Sequence, residues 1–118
     1  MDKNLLVSNG VNIDVSLDIL GDMDMYNETM NDFLDEVDSK IESIKNYKEL
    51  GDMPNYAIQV HSLKSDSKYL GFTTLAELAY DHEMASKSND INYVNDNFES
   101  LIEEAGRIIS LCKEYMGR

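Results

Sequence analysis

Tryptophan is absent from this chain, cysteine and proline occur once each, and glycine occurs only six times in 118 residues. Each scarcity excludes something. Cys112 alone cannot close a disulfide, and it lies in an apolar periodic stretch, so a buried, inert thiol in a reducing compartment is expected. Positive charge is scarce too: 10 Lys and Arg stand against 23 Asp and Glu, for a formal net charge of −13. Such a surface repels phosphate backbones and anionic lipid, which removes nucleic acid and membranes from the expected partners. No apolar run approaches the roughly 20 residues of a spanning helix, and the opening "MDKNLLVSNG" lacks the apolar core of a signal peptide. The expectation is a cytoplasmic protein of one domain, residues 1–118, with 1–12 as a loose N-terminal segment.

What the chain does have is apolar residues recurring at three and four, the helical period. "NIDVSLDILGD" reads as a short helix that buries Ile13, Leu17 and Leu20 and stops at Gly21. From Met23 to about Leu50, Tyr26, Met30, Phe33, Leu34, Val37, Ile41, Ile44 and Tyr47 hold one face, and Asp22 offers a cap. "GDMPN" then breaks the chain, with Gly51 ending one helix, Asp52 capping the next and Pro54 in its first turn. Further helices are expected from Met53 to about Leu70, from Thr74 to about Ser88 with Thr73 or Thr74 as cap, and from Ile91 onward. The last buries Val94, Phe98, Leu101, Ile102, Ala105, Ile108, Ile109, Cys112 and Met116. Long amphipathic helices on short loops must cover one another's apolar faces. The fold class is therefore all-α: an up-down-up-down antiparallel four-helix bundle with a short extra N-terminal helix.

The two histidines fall on different faces. On the helix from Met53, the core stripe runs through Tyr56, Val60, Leu63, Ser67 and Leu70, and His61 sits about 100° round from Val60. Its helical neighbours are Ala57, Lys64, Ser65 and Lys68: two small residues that leave room, and two cations. A solvent-reachable imidazole beside ammonium groups suits a nucleophile that takes up a phosphoryl group, whose charge the lysines would offset. An exposed histidine that merely adjoins solubilising lysines has the same pattern. His82 instead falls on the inward stripe with Leu75, Leu78, Ala79 and Ser86, and reads as a hydrogen-bonded core histidine, with Glu83 on the flank. "DHE" (Asp81 to Glu83) offers no pair of metal ligands three or four apart, so no metal is expected.

The run His61-Ser-Leu-Lys64-Ser65-x-Ser67-x-x-Leu70-Gly71, followed by "LAELA", Glu83 and the "SND" turn, resembles the motif of histidine phosphotransfer (HPt) domains of bacterial multistep phosphorelays. The resemblance spans about residues 13 to 116, since "NIDVSLDILGDMDMYNETMNDFLDEV" is similar to the family's opening. It implies that His61 accepts a phosphoryl group from a receiver-domain aspartyl phosphate and passes it to another receiver aspartate. Lys64 would stabilise that group, and Glu83 would orient the imidazole. It also implies no cofactor in this chain, the Mg²⁺ being carried by the receiver, and a relay intermediate rather than an enzyme. Its partners would be response-regulator receiver domains, free or within a hybrid sensor histidine kinase.

Receiver docking is expected on a modest apolar patch of Ala57, Ile58, Tyr69 and Phe72, rimmed by Ser62, Ser65 and Lys68. The chain departs from the family at Ser65, often glycine, at Lys68 and Tyr69, and at His82, where a leucine is frequent and some local loss of stability is expected. Two other functions fit the same pattern: a helical interaction module whose histidine is never phosphorylated, and the phosphotransfer domain of a chemotaxis-type kinase.

Overall fold

Five short polar side chains open helices in this chain. Asp2, Asn12, Asp22, Asp52 and Asp90 each accept a hydrogen bond from a backbone N–H two or three residues on, which satisfies a donor that the helix itself leaves free. The computed structural model describes all residues 1–118 and is entirely helical: α1 (Lys3–Ser8), α2 (Ile13–Leu20), α3 (Met23–Leu50), α4 (Met53–Leu70), α5 (Thr73–Lys87) and α6 (Ile91–Met116). Only α5 starts without a side-chain cap, so neither Thr73 nor Thr74 serves the role expected of it. Phe72 takes the cap position instead. Its amide donates back to Ser67 O at 2.8 Å and its ring packs on Phe33, so packing rather than capping sets the entry to α5.

The N-terminal segment is not loose. Residues Lys3–Ser8 form α1, which buries Leu6 completely and packs on α6, while Arg107 donates to Asn9 O at 3.1 Å. The adjacent Leu5 and Leu6 drive this docking, since a buried leucine is worth about 1.5–3 kcal/mol. α2 is fastened more tightly. Asn12 N donates to Gly71 O at 2.8 Å, and a Cβ at Gly71 would lie 2.3 Å from Asn12 O. With φ at +80° as well, position 71 suits only glycine, and the end of α4 is thereby locked to the start of α2.

Around the core, α3 packs on α4, α4 on α5, α5 on α6, and α6 returns to α3. Tyr26, near the start of α3, donates its hydroxyl to Leu70 O at the end of α4, at 2.8 Å. Tyr115, at the end of α6, donates to Asn27 Oδ1 at 2.6 Å. Buried phenols would stand unpaired without these acceptors, and burial pushes the Tyr26 hydroxyl far above its ordinary range. The enclosed apolar cluster joins Met30, Ile44, Tyr56, Leu63, Leu75, Leu101 and Ile108, among others. Cys112 lies wholly inside it, its thiol pushed up by burial to about 12, so it is inert as its sequence position implies.

Candidate functional site

α4 carries the site because it has two unlike faces. Val60 and Leu63 are completely buried, whereas the His61 side chain, between them in sequence, is 55% exposed. Facing it from α5 is Glu83, whose side chain is only 2% exposed. The flank position expected of Glu83 is therefore corrected: α5 lies close enough to α4 to cover it, a closeness that small residues at Ala76 and Ala79 permit. Three groups donate to this one carboxylate. His61 Nδ1 lies 2.7 Å from Oε2, Lys64 Nζ 2.6 Å from Oε1, and Lys87 Nζ 2.8 Å from Oε2.

The protonation states follow from these partners. Burial alone would raise the Glu83 carboxyl, but hydrogen bonds from Lys64, Lys87 and His61 outweigh it and hold the group at about 2. Glu83 is then an anion that only accepts, so the Nδ1 of His61 must be the protonated ring nitrogen. In the neutral ring, Nε2 keeps its lone pair and has no protein partner. The arrangement is an oriented imidazole whose carboxylate partner also holds two cations.

Lys64 is half-buried, its ammonium also 5.6 Å from the Tyr80 ring centroid, while the Lys87 side chain is 58% exposed. Lys87 went unnoticed in the sequence, although it stands four residues after Glu83, the spacing of a helical ion pair. Lys87 and Glu83, with Pro54, Ala57 and Ile58 of α4 and Ser86 of α5, border a concavity of about 530 Å³ that His61 also lines; Lys64 lies outside it.

The remaining expected residues divide. Ile58 is 61% exposed and Tyr69 48%, Lys68 is exposed, and Ser62 and Ser65 are half-buried. Phe72 does not belong to any surface patch: it is 1% exposed and packs at a tilt against Phe33, because the turn after Gly71 directs it inward. Ala57 is nearly buried as well and contributes only a small edge. Tyr69 leans toward α3, beside Thr29 and Asp32, rather than toward His61.

His82 is fully inside, as its stripe implies. Tyr56 Oη lies 2.8 Å from its Nδ1 and Asn97 O 3.0 Å from its Nε2. Because a carbonyl can only accept, Nε2 carries the proton and Nδ1 accepts from the tyrosine. Burial lowers the pKa of this ring. The local instability expected at this position is answered by the two hydrogen bonds, which satisfy both nitrogens. No three His, Cys, Asp or Glu side chains converge as a metal would require.

Fold and site together define a class, an all-helical protein that presents an exposed imidazole on one helix and orients it with a buried carboxylate from the next. A family model described as Hpt domain matches residues 28–111, and the chain belongs to that family. Its members are phosphotransfer modules of phosphorelays and two-component signalling rather than conventional enzymes, and they work with receiver domains and kinases. The matched range takes in α4 and α5 whole. Searches of curated proteins and of solved structures give no match. No helix is long and apolar enough to cross a membrane.

Proposed function

We propose that His61 is the phosphoryl-accepting residue of a phosphorelay intermediate, charged by the aspartyl phosphate of one receiver domain and discharged to the aspartate of another. The observation that carries this is the His61 Nδ1 to Glu83 bond of 2.7 Å, which leaves Nε2 unprotonated on an exposed ring. In the step, the Nε2 lone pair forms the N–P bond as the acyl phosphate O–P bond breaks, and its electron pair stays on the receiver carboxylate. Nδ1 keeps its proton throughout. Lys64 offsets the charge of the moving group, and the divalent cation that acyl phosphate chemistry uses belongs to the receiver.

The receiver would dock on the outward face of α4, over Ile58, Ser62, Ser65, Lys68 and Tyr69 and the edge of Ala57. An isoleucine 61% exposed beside the reactive ring supports this face. The residue-to-residue links between helix ends, Tyr26 to Leu70 and Tyr115 to Asn27, support an up-down-up-down course for α3 to α6. The cytoplasm, where receivers and their kinases operate, is the fitting location.

The test uses a receiver domain carrying a labelled aspartyl phosphate. The label should move to the chain and be acid-labile and alkali-stable. His61→Gln should abolish it and His82→Gln should not; the reverse pattern would overturn the assignment.

A further inference from the structure

Glu83 does more in this site than orient a ring. Its carboxylate accepts from Lys64 at 2.6 Å and from Lys87 at 2.8 Å, so two ammonium groups already share this one counter-ion before any phosphoryl group arrives. A phosphoryl group on Nε2 brings about two negative charges into the same space. It must compete with Glu83 for the same two lysines.

We propose that Glu83, acting through Lys64 and Lys87, sets the phosphoryl-transfer potential of His61. In this reading, which rests on His61 being the phosphoryl acceptor, Lys87 is a second phosphoryl-binding cation and Glu83 is the counter-ion that holds both lysines until the phosphoryl group claims them. A carboxylate makes the charged state easier to discharge than an amide would, by repulsion: once the lysines turn to the phosphoryl group, a buried anion, 2% exposed, remains close to a dianion with little water to screen it.

The leaving group is prepared by any acceptor at position 83, carboxylate or amide, which holds a proton on Nδ1, so that the phosphorylated ring is cationic. When the N–P bond breaks, its electron pair returns to Nε2 and a neutral imidazole departs, with no proton needed from elsewhere. Lys87 is well placed for its part. It borders the concavity at His61 and its side chain is 58% exposed, free to swing from Glu83 to a group on Nε2. Lys64, at 13%, is the more confined of the two.

Exchange with phosphoramidate at a fixed ammonium concentration tests this without a partner protein. Nε2 displaces ammonia from phosphorus, and the phosphorylated fraction at the plateau, read by phosphorus NMR or intact mass, gives an equilibrium constant. Glu83→Gln keeps the shape and an acceptor for Nδ1–H but removes the anion, and should raise that constant about tenfold. Lys87→Gln should lower it about fivefold. A variant that was merely damaged could not gain phosphoryl affinity. A Glu83→Gln constant within twofold of the parent, or below it, overturns the proposal, as does an unchanged constant for Lys87→Gln, which alone decides if the Glu83 variant does not fold. Failure of the parent chain to acquire any phosphate at His61 would instead overturn the acceptor assignment, and this inference with it.

Discussion

Lys64 shows how much one side chain can be asked to do. In the resting site its ammonium is 2.6 Å from a Glu83 oxygen and is stacked over Tyr80, so it is a positioned charge rather than a mobile solubilising one. Removing one positioned charge of this kind typically loses about 2 kcal/mol of transition-state stabilisation, or about 30-fold in rate. Lys64→Ala should therefore slow phosphoryl transfer by that order while the helical circular dichroism stays unchanged. A rate within about twofold of the parent would reduce Lys64 to a structural partner of Glu83. The exposure of His61 was legible from helical phase alone, because Val60 and Leu63 must point inward and leave it outside, while its role came from the family motif. Glu83 was legible only as a correspondence with a family position. Its burial and its contact with Lys64 depend on how near α5 comes to α4, a quantity that no single-helix periodicity contains, whereas the Lys87 pair could have been read from its i,i+4 spacing.

At the scale of elements, α3 begins and ends at the residues that the apolar stripe and its flanking Asp22 and Gly51 indicate, and α4 likewise runs from the Asp52 cap to Gly71. Strong period and clear punctuation coincide there. Where punctuation was weak the reading slipped: α1 is too short to show a period, and Phe72 looked like a surface aromatic because a residue beyond a helix end has no helical phase to place it. Ile58, within a helix, had such a phase and is outward as expected. Ile58→Glu should consequently weaken binding to a receiver that phosphorylates the parent chain by about tenfold or more, a charge replacing an apolar contact at the interface. Its melting temperature should move by no more than about 2 °C, since surface substitutions seldom exceed 0.5 kcal/mol. A sharp fall in melting temperature with binding intact would place Ile58 in the core.

Across the whole molecule, stability should depend on pH through the two groups that bind helices together from inside. His82 links α5 to Tyr56 of α4 and to the Asn97 carbonyl of α6, and its folded-state pKa is lowered from 6.5. A depressed value means that the folded chain binds fewer protons than the unfolded one below pH 6.5, so this contribution is complete above 6.5 and is lost as pH falls through the folded value. Glu83 follows the same sign lower down: its contribution is complete above 4.5 and is lost as pH falls through about 2. His82→Leu would leave Tyr56 and the Asn97 carbonyl unpaired, at about 1–3 kcal/mol, so it should be less stable than the parent in urea at pH 8. That gap should narrow at pH 5, because only the parent keeps losing stability there; an equal gap at both values would mean that His82 is not held neutral. The central claim is narrower and concerns one atom. Long-range proton–nitrogen NMR of the phosphorylated chain should find phosphorus coupled to Nε2 of His61, with Nδ1 still protonated toward Glu83. Phosphorus on Nδ1 of His61, or on either nitrogen of His82, would contradict it.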